Sequence, residues 1–336
     1  MGGVRRAVVG FVLLALTGCA STDVQPPDPL SSWNQTATRN TIVGFVEDVT
    51  REGSPRYVPP DERIATFDND GTLWAEQPIY FEILFAMDRI REMVPEHPEW
   101  RTTEPFASAL SGDPARVAML PQPQLFELIL ATHAGMTETA FEQVADQWFA
   151  TARHPRLNRP FQTLVYQPQL ELLRYLRANG FKTFIVSGGE VDFMRAFAPE
   201  AYEIPPEQIK GTTVEFSFTE VDGQPVLTRM PAIDINGDHT GKPINIHLGI
   251  GRKPILAFGN SDGDMEMLEY TDSGSGPRLM LLLHHDDAQR EFAYDRQSHV
   301  GRLDKAWDMA KQRGWIVVSM KNDFATIFPS EAANDN

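Results

Sequence analysis

The stretch Arg63-Ile64-Ala65-Thr66-Phe67-Asp68-Asn69-Asp70-Gly71-Thr72-Leu73 decides the reading of this chain. Its first half is short and mostly apolar, without polar alternation, which is the pattern of a parallel strand covered on both faces. Its second half breaks into a turn from which two carboxylates, Asp68 and Asp70, leave the strand together. Gly71 lets backbone N–H groups come close to an anion. So placed, Asp68 can attack an electrophile, while Asp70 can give and take a proton. Asp and Gly are also common turn formers, so the stretch alone reads equally as a strand ending in a turn.

Working outward, Ile42, Phe45, Val46 and Val49 fall at helical spacing and predict an amphipathic helix over 34–50. From Pro78 to about Pro160 the pattern is helical. Within it, Thr139 and Glu142 are spaced as a capping box before Phe141, Val144, Ala145, Trp148, Phe149 and Ala152. A helix with Leu170, Leu173 and Leu176 on one face closes at Gly180. Apolar runs at 181–186, 254–258, 278–283 and 315–319 are further strands, and 211–230 reads as a hairpin around Asp222-Gly223. Lys242 falls in a loop, a helix runs from Ile246 toward Gly251, and another covers 303–313. Strands alternating with helices predict an α/β fold: a doubly wound, Rossmann-like parallel sheet formed by 33–77 and 161–329, with 78–160 inserted as a helical cap. Ligands then bind at the carboxyl ends of the strands.

Four segments in order carry a resemblance. Phe67 to Leu73 is similar to the first signature of the haloacid dehalogenase superfamily, and Ser187 after its apolar strand to the second. Lys242 in Gly241-Lys242-Pro243 is similar to the third, and Gly259-Asn260-Ser261-Asp262-Gly263-Asp264 to the fourth. The cap and the hairpin look most like the phosphoserine-phosphatase branch, over approximately 60–285. The resemblance implies a Mg2+-dependent phosphomonoesterase acting on a small phosphorylated metabolite, with Asp68 as covalent nucleophile and Asp70 as acid and base. It further implies phosphate binding by Ser187, Gly188, Lys242, Asn69 and Gly71, and Mg2+ binding by Asp68, Asp70, Asn260 and Asp264. The chain departs from the pattern at Asn260, where aspartate is usual. We expect Asp262 to restore negative charge to the metal loop, and Glu76 to meet a cationic part of the substrate or the metal. A binding module that kept the fold with little or no catalysis is the alternative reading.

His284-His285-Asp286-Asp287 invites a metal reading, but adjacent histidines on an extended chain point apart. An aspartate capping the next helix and a histidine lining the pocket are expected instead. Trp74, Glu76 and Tyr80 fall where the cap would close, the aromatics reading equally as core packing.

The 336 residues, 42% of them hydrophobic, suffice for one large core and a smaller module. A net charge of −16, or −18 without residues 1–19, repels nucleic acid, so an anionic ester must be drawn in by local cations. Residues 1–19 read as an export signal: Arg5 and Arg6, an apolar run, then Leu16-Thr17-Gly18-Cys19, which resembles a bacterial lipobox. Cys19 is the sole cysteine and the expected site of lipidation, with Ala20 implying an outer-membrane anchor facing the periplasm. The proline-rich 20–32 is expected to be a flexible tether, and 330–336 a disordered tail.

Overall fold

The computed structural model describes residues 1–3 and 28–330. The lipobox with Cys19, most of the expected tether and nearly all of the expected tail lie outside the described residues.

In chain order the elements are α1 (Ala37–Thr50), β1 (Ile64–Phe67), α2 (Phe81–Met93), α3 (Phe106–Leu110), α4 (Pro114–Ala118), α5 (Gln122–His133), α6 (Glu138–Thr151), α7 (Gln167–Ala178) and β2 (Lys182–Glu190). They continue with α8 (Val191–Arg195), α9 (Ala198–Tyr202), β3 (Ile209–Val221), β4 (Gln224–Ile235), α10 (Gly241–Gly249), β5 (Leu256–Gly259) and α11 (Met265–Asp272). The last are β6 (Leu279–Asp286), β7 (Ala293–Tyr294), α12 (Lys305–Arg313), β8 (Ile316–Ser319) and α13 (Met320–Asp323).

All four residues of β1 are buried, and the strand sits at the centre of the sheet β4-β3-β2-β1-β5-β6-β7, with β8 paired to β6. β1 is parallel to β2 on one side and to β5 on the other. From β1 the chain winds outward through β2 and β3, then returns to β5 and winds the other way. That reversal opens a crevice at the carboxyl end of β1. Alternation along the strands divides two cores: Leu279, Leu281 and Leu283 of β6 join the cluster that includes the cap, while Met280 and Leu282 join the one under α11 and α12. Each face of the sheet is thus covered, which is why these strands carry no polar face.

Three local expectations change. Residues 28–32, assigned to the tether, dock on the body: Leu30 is fully buried, and Glu171 accepts from Ser31 Oγ, Ser32 N and Ser32 Oγ. A buried leucine and a satisfied carboxylate give that stretch the packing its composition seemed to lack. The cap of α6 is Thr137, whose side chain accepts from Ala140 N, two residues before the expected Thr139. The β3–β4 hairpin is longer than read and turns at Asp222 and Gly223, both with positive φ.

Candidate active site

Asp68 follows β1 directly, its N–H bonded to the Phe258 carbonyl of β5 at 2.9 Å. Its Oδ1 accepts from Lys242 Nζ at 2.6 Å, and Oδ2 has no hydrogen-bond partner among the described residues. Lys242 stands in the first turn of α10 rather than in a loop, 1% exposed. Its three donors are all used, on Asp68, on the Val186 carbonyl at 3.0 Å and on Asp264 Oδ1 at 2.7 Å. Burial opposes the charge on Lys242, yet Asp264 and Asp68 outweigh it and hold the ammonium firmly protonated.

Asp68, Asp70, Glu76, Ser187, Gly188 and Lys242 line one cavity of ≈ 110 Å³ between the sheet and the cap. Glu82, Ile83 and Phe126 face it from the cap side. Asp70 Oδ1 accepts from Trp74 Nε1 at 2.9 Å. Burial pushes the Asp70 carboxyl up to about 6, against the pull of that bond and of Lys242. A carboxyl poised there can both give and take a proton in the range just below neutrality. Burial, reinforced by the charge of Asp264 and opposed by Lys242, raises Asp68 well above the usual carboxylate range. Burial likewise raises Glu76, with Asp70 and Asp68 adding to it against a hydrogen bond from Tyr294.

Four sequence assignments give way to the local hydrogen bonding. The Gly71 N–H is tied to the Trp74 carbonyl at 2.9 Å, so it is not available to a phosphate. What the position requires of glycine is φ +70° and space: a Cβ there would lie 2.2 Å from Asn260 Nδ2. The Asn69 side chain does not line the cavity; its Oδ1 accepts from the Tyr202 hydroxyl at 3.0 Å. Asp264 is fully buried and does not line the cavity; its Oδ1 accepts from Lys242 and its Oδ2 from the backbone of Asn260 and Ser261, so its carboxylate is engaged within the protein rather than turned to a metal. Asp262 Oδ1 accepts from Asp304 N and Ala306 N at the start of α12, as a helix cap. Asn260 itself is 1% exposed; its Oδ1 accepts from Thr72 and its Nδ2 donates to Glu76.

Two further contributors stand behind the site, one placed otherwise than expected and one not named from the sequence. His285 does not line the pocket: Nε2 bonds the Gly71 carbonyl at 2.7 Å and Nδ1 meets Glu291 at 3.2 Å, pinning the turn that follows Asp68. Tyr294 stacks on His285 and donates to Glu76. The dipeptide β7 that carries Tyr294 is too short to leave a periodicity, and only its pairing with β6 marks it.

The haloacid dehalogenase-like hydrolase family model matches residues 65–269, more than half of the chain, and spans every element of this site except the His285–Tyr294 support. The chain belongs to that family. No curated protein matches it in sequence. Among solved structures, this hydrolase resembles a conserved functionally unknown protein from Anaerococcus prevotii (15% identity, 87% of this chain and 94% of that one, TM-score 0.51). It also resembles a protein of unknown function from Bordetella pertussis (17%, 76% and 98%, TM-score 0.49) and a phosphoserine phosphohydrolase-like protein from Francisella tularensis (18%, 76% and 94%, TM-score 0.42). At such identities the likeness is one of fold. The doubly wound sheet expected from the sequence is the fold observed.

Hard oxygens remain at the mouth of β1, on Asp68, Asp70 and Glu76; Asp70 raises the proton affinity of Asp68, and Asp70 and Asp68 raise that of Glu76. Such a set suits a divalent cation of the Mg2+ type.

Proposed function

We propose that this haloacid dehalogenase-like hydrolase is a Mg2+-dependent phosphomonoesterase that hydrolyses a small phosphate ester through a phosphoryl group carried on Asp68. One observation carries the reading. Asp68 is fixed by Lys242 through Oδ1 while Oδ2 is left open to a cavity that Asp70 and Ser187 share. Oδ2 attacks phosphorus, the ester P–O bond breaks, and Asp70 protonates the departing alkoxide. Asp70, now ionised, takes a proton from water as its oxygen attacks the acyl phosphate. Inorganic phosphate leaves and the Asp68 carboxylate is restored. Lys242 offsets charge between nucleophile and phosphoryl oxygens, and the Ser187 hydroxyl donates to one of them. Mg2+, when bound, neutralises phosphate charge; Asp68 and the Asp70 carbonyl would hold it.

Leaving-group selection falls to the cap wall, where Ile83, Leu125, Phe126 and Ile129 stand beside Glu82 and Asp238. Apolar and acidic neighbours together favour an alcohol moiety that is neutral or cationic over one carrying further negative charge. The test is turnover of a chromogenic phosphate ester with and without Mg2+, followed by phosphoserine, phosphocholine, nucleotides and sugar phosphates. No turnover in any condition, or Asp68→Asn as active as the natural chain, would overturn the reading.

We propose further that the protein is exported and carries lipid on Cys19, a reading supported by the apolar run ending at Leu16-Thr17-Gly18-Cys19. Labelling with a radioactive fatty acid checks this, since Cys19→Ala should lose all label.

A further inference from the structure

The loop of the fourth signature has too little charge to spare. Asn260 stands where the family pattern has aspartate, both oxygens of Asp264 are bonded within the protein, and Asp262 caps α12. Neither acid of that loop lines the cavity.

A carboxylate does reach the same place from the other side of the nucleophile turn. Glu76 is 1% exposed and lines the cavity with Asp68 and Asp70. Its Oε1 accepts from Asn260 Nδ2 at 2.7 Å and from the Tyr294 hydroxyl at 2.8 Å, while Oε2 accepts no hydrogen bond among the described residues. Backbone has been cleared for this carboxylate on two sides. A Cβ on Gly71 would lie 2.3 Å from Oε1, and one on Gly301 would lie 1.8 Å from it. Two donors and two glycines hold one oxygen in place and leave the other unbonded on a residue that lines the cavity, which is the arrangement of a preorganised ligand.

We propose that Glu76 is the metal-ligating carboxylate of this protein, supplying across the nucleophile turn the charge that Asn260 lacks. The proposal rests on the Mg2+-dependent reading above. Asn260 then serves a different purpose, because its amide donates to Glu76, which an aspartate could not do. An ionised acid at 260 would instead set two like charges at hydrogen-bond distance. The residues form an exchanged pair, with the carboxylate moved from one partner to the other and the metal site kept neutral to the same degree.

The test is equilibrium binding of Mn2+ to the whole protein after chelation, read by electron paramagnetic resonance of free Mn2+ and by calorimetry, with thermal melting to verify the fold of each variant. E76Q keeps acceptors for Asn260 and Tyr294 but loses the charge, and its Mn2+ affinity should fall by about tenfold or more. N260D added to E76Q returns a carboxylate to the loop and should recover most of that loss, a coupling that independent sites do not show. E76D keeps the charge with a shorter reach and serves as the second variant should E76Q fail to fold; it too should bind Mn2+ more weakly. Affinity equal to the natural chain's in the folded Glu76 variants, with Asp68→Asn weakened, overturns the assignment of Glu76 and leaves the phosphatase reading standing. The same holds if a Glu76 variant raises KM for an aminated ester with Mn2+ binding untouched, since Glu76 would then be a substrate contact. Conversely, Glu76-dependent Mn2+ binding without turnover of any ester overturns the phosphatase reading and keeps Glu76 as ligand.

Discussion

Two buried clusters of charge meet at Glu82, and they are solved in opposite ways. At the end of β1, Asp68, Asp70 and Glu76 share a single resident cation, Lys242, and turn oxygens into a cavity. Under the cap, Glu82, Glu190 and His133 are also buried, with ligand atoms within 4.8 Å of one another, but Arg229 of β4 is built into the middle of them. Arg229 Nη1 donates to Asp192 at 2.6 Å, Nη2 lies 3.0 Å from Glu190 Oε2 though out of line for a hydrogen bond, and the guanidinium sits 4.1 Å over the Phe141 ring. Burial pushes Glu82 up to about 8 and Glu190 to about 7, and burial with Arg229 keeps His133 neutral. Where the fold supplies a permanent cation, the charges join cap to hairpin; where it supplies too little, the lining fits the divalent cation proposed above.

That contrast can be broken by removing one member at a time. The largest effect is expected at Asp68→Asn, where turnover should fall by about 10³-fold or more with little change in unfolding free energy, measured by steady-state kinetics beside urea titration. Asp70→Asn should follow at about 10²- to 10³-fold, affecting kcat more than KM, because the leaving alkoxide loses its proton donor. Arg229→Met reverses the pattern: two acids lose their buried counter-charge, and stability should drop by about 3–5 kcal/mol in the same titration.

Glu82→Gln should give the smallest change and a characteristic pH dependence. In the folded chain Glu82 and Glu190 hold protons up to about 8 and 7, whereas the ordinary value is 4.5. Between those limits the folded state binds more protons than the unfolded one. Their contribution is therefore fully present below about 4.5 and is lost as pH rises through 7 and 8. Removing Glu82 should flatten the dependence of Tm on pH over that window and raise Tm at pH 8 by about 2–4 °C.

What could be read from the sequence follows from the range of the interactions involved. β1 was legible because four consecutive buried residues leave a run that only a doubly covered strand tolerates. Asp68 and Asp70 could be named from the turn that follows β1, and Ser187, Gly188 and Lys242 from the resemblance of their segments to the family's signatures; the fold brings all five to one cavity. Asn69, Gly71, Asp262 and Asp264 went astray for a shared reason: which lone pair or N–H stays free depends on partners elsewhere, such as Tyr202, Trp74, the start of α12 and Lys242. The Arg229 cluster left no trace, since a charged residue in a hairpin with alternating polarity reads as solvent-facing until the cap packs over it. Docking of Leu30 to Trp33 was hidden by prolines that precede it and by a partner, Glu171, far along the chain.

Trp74 has a consequence for selectivity. The indole that holds Asp70 is itself stacked on Phe197 at 4.1 Å and set edge-on to Phe81 at 4.7 Å, inside an aromatic core continuous with Phe149 and Phe193. Swinging the cap aside would tear that core and release the acid from its partner at the same moment. On the phosphatase reading proposed above, the cap then serves as a ruler and not as a door: an ester would be measured against a chamber of set dimensions, and alcohols too long for it would be turned away before Asp70 is ever disturbed.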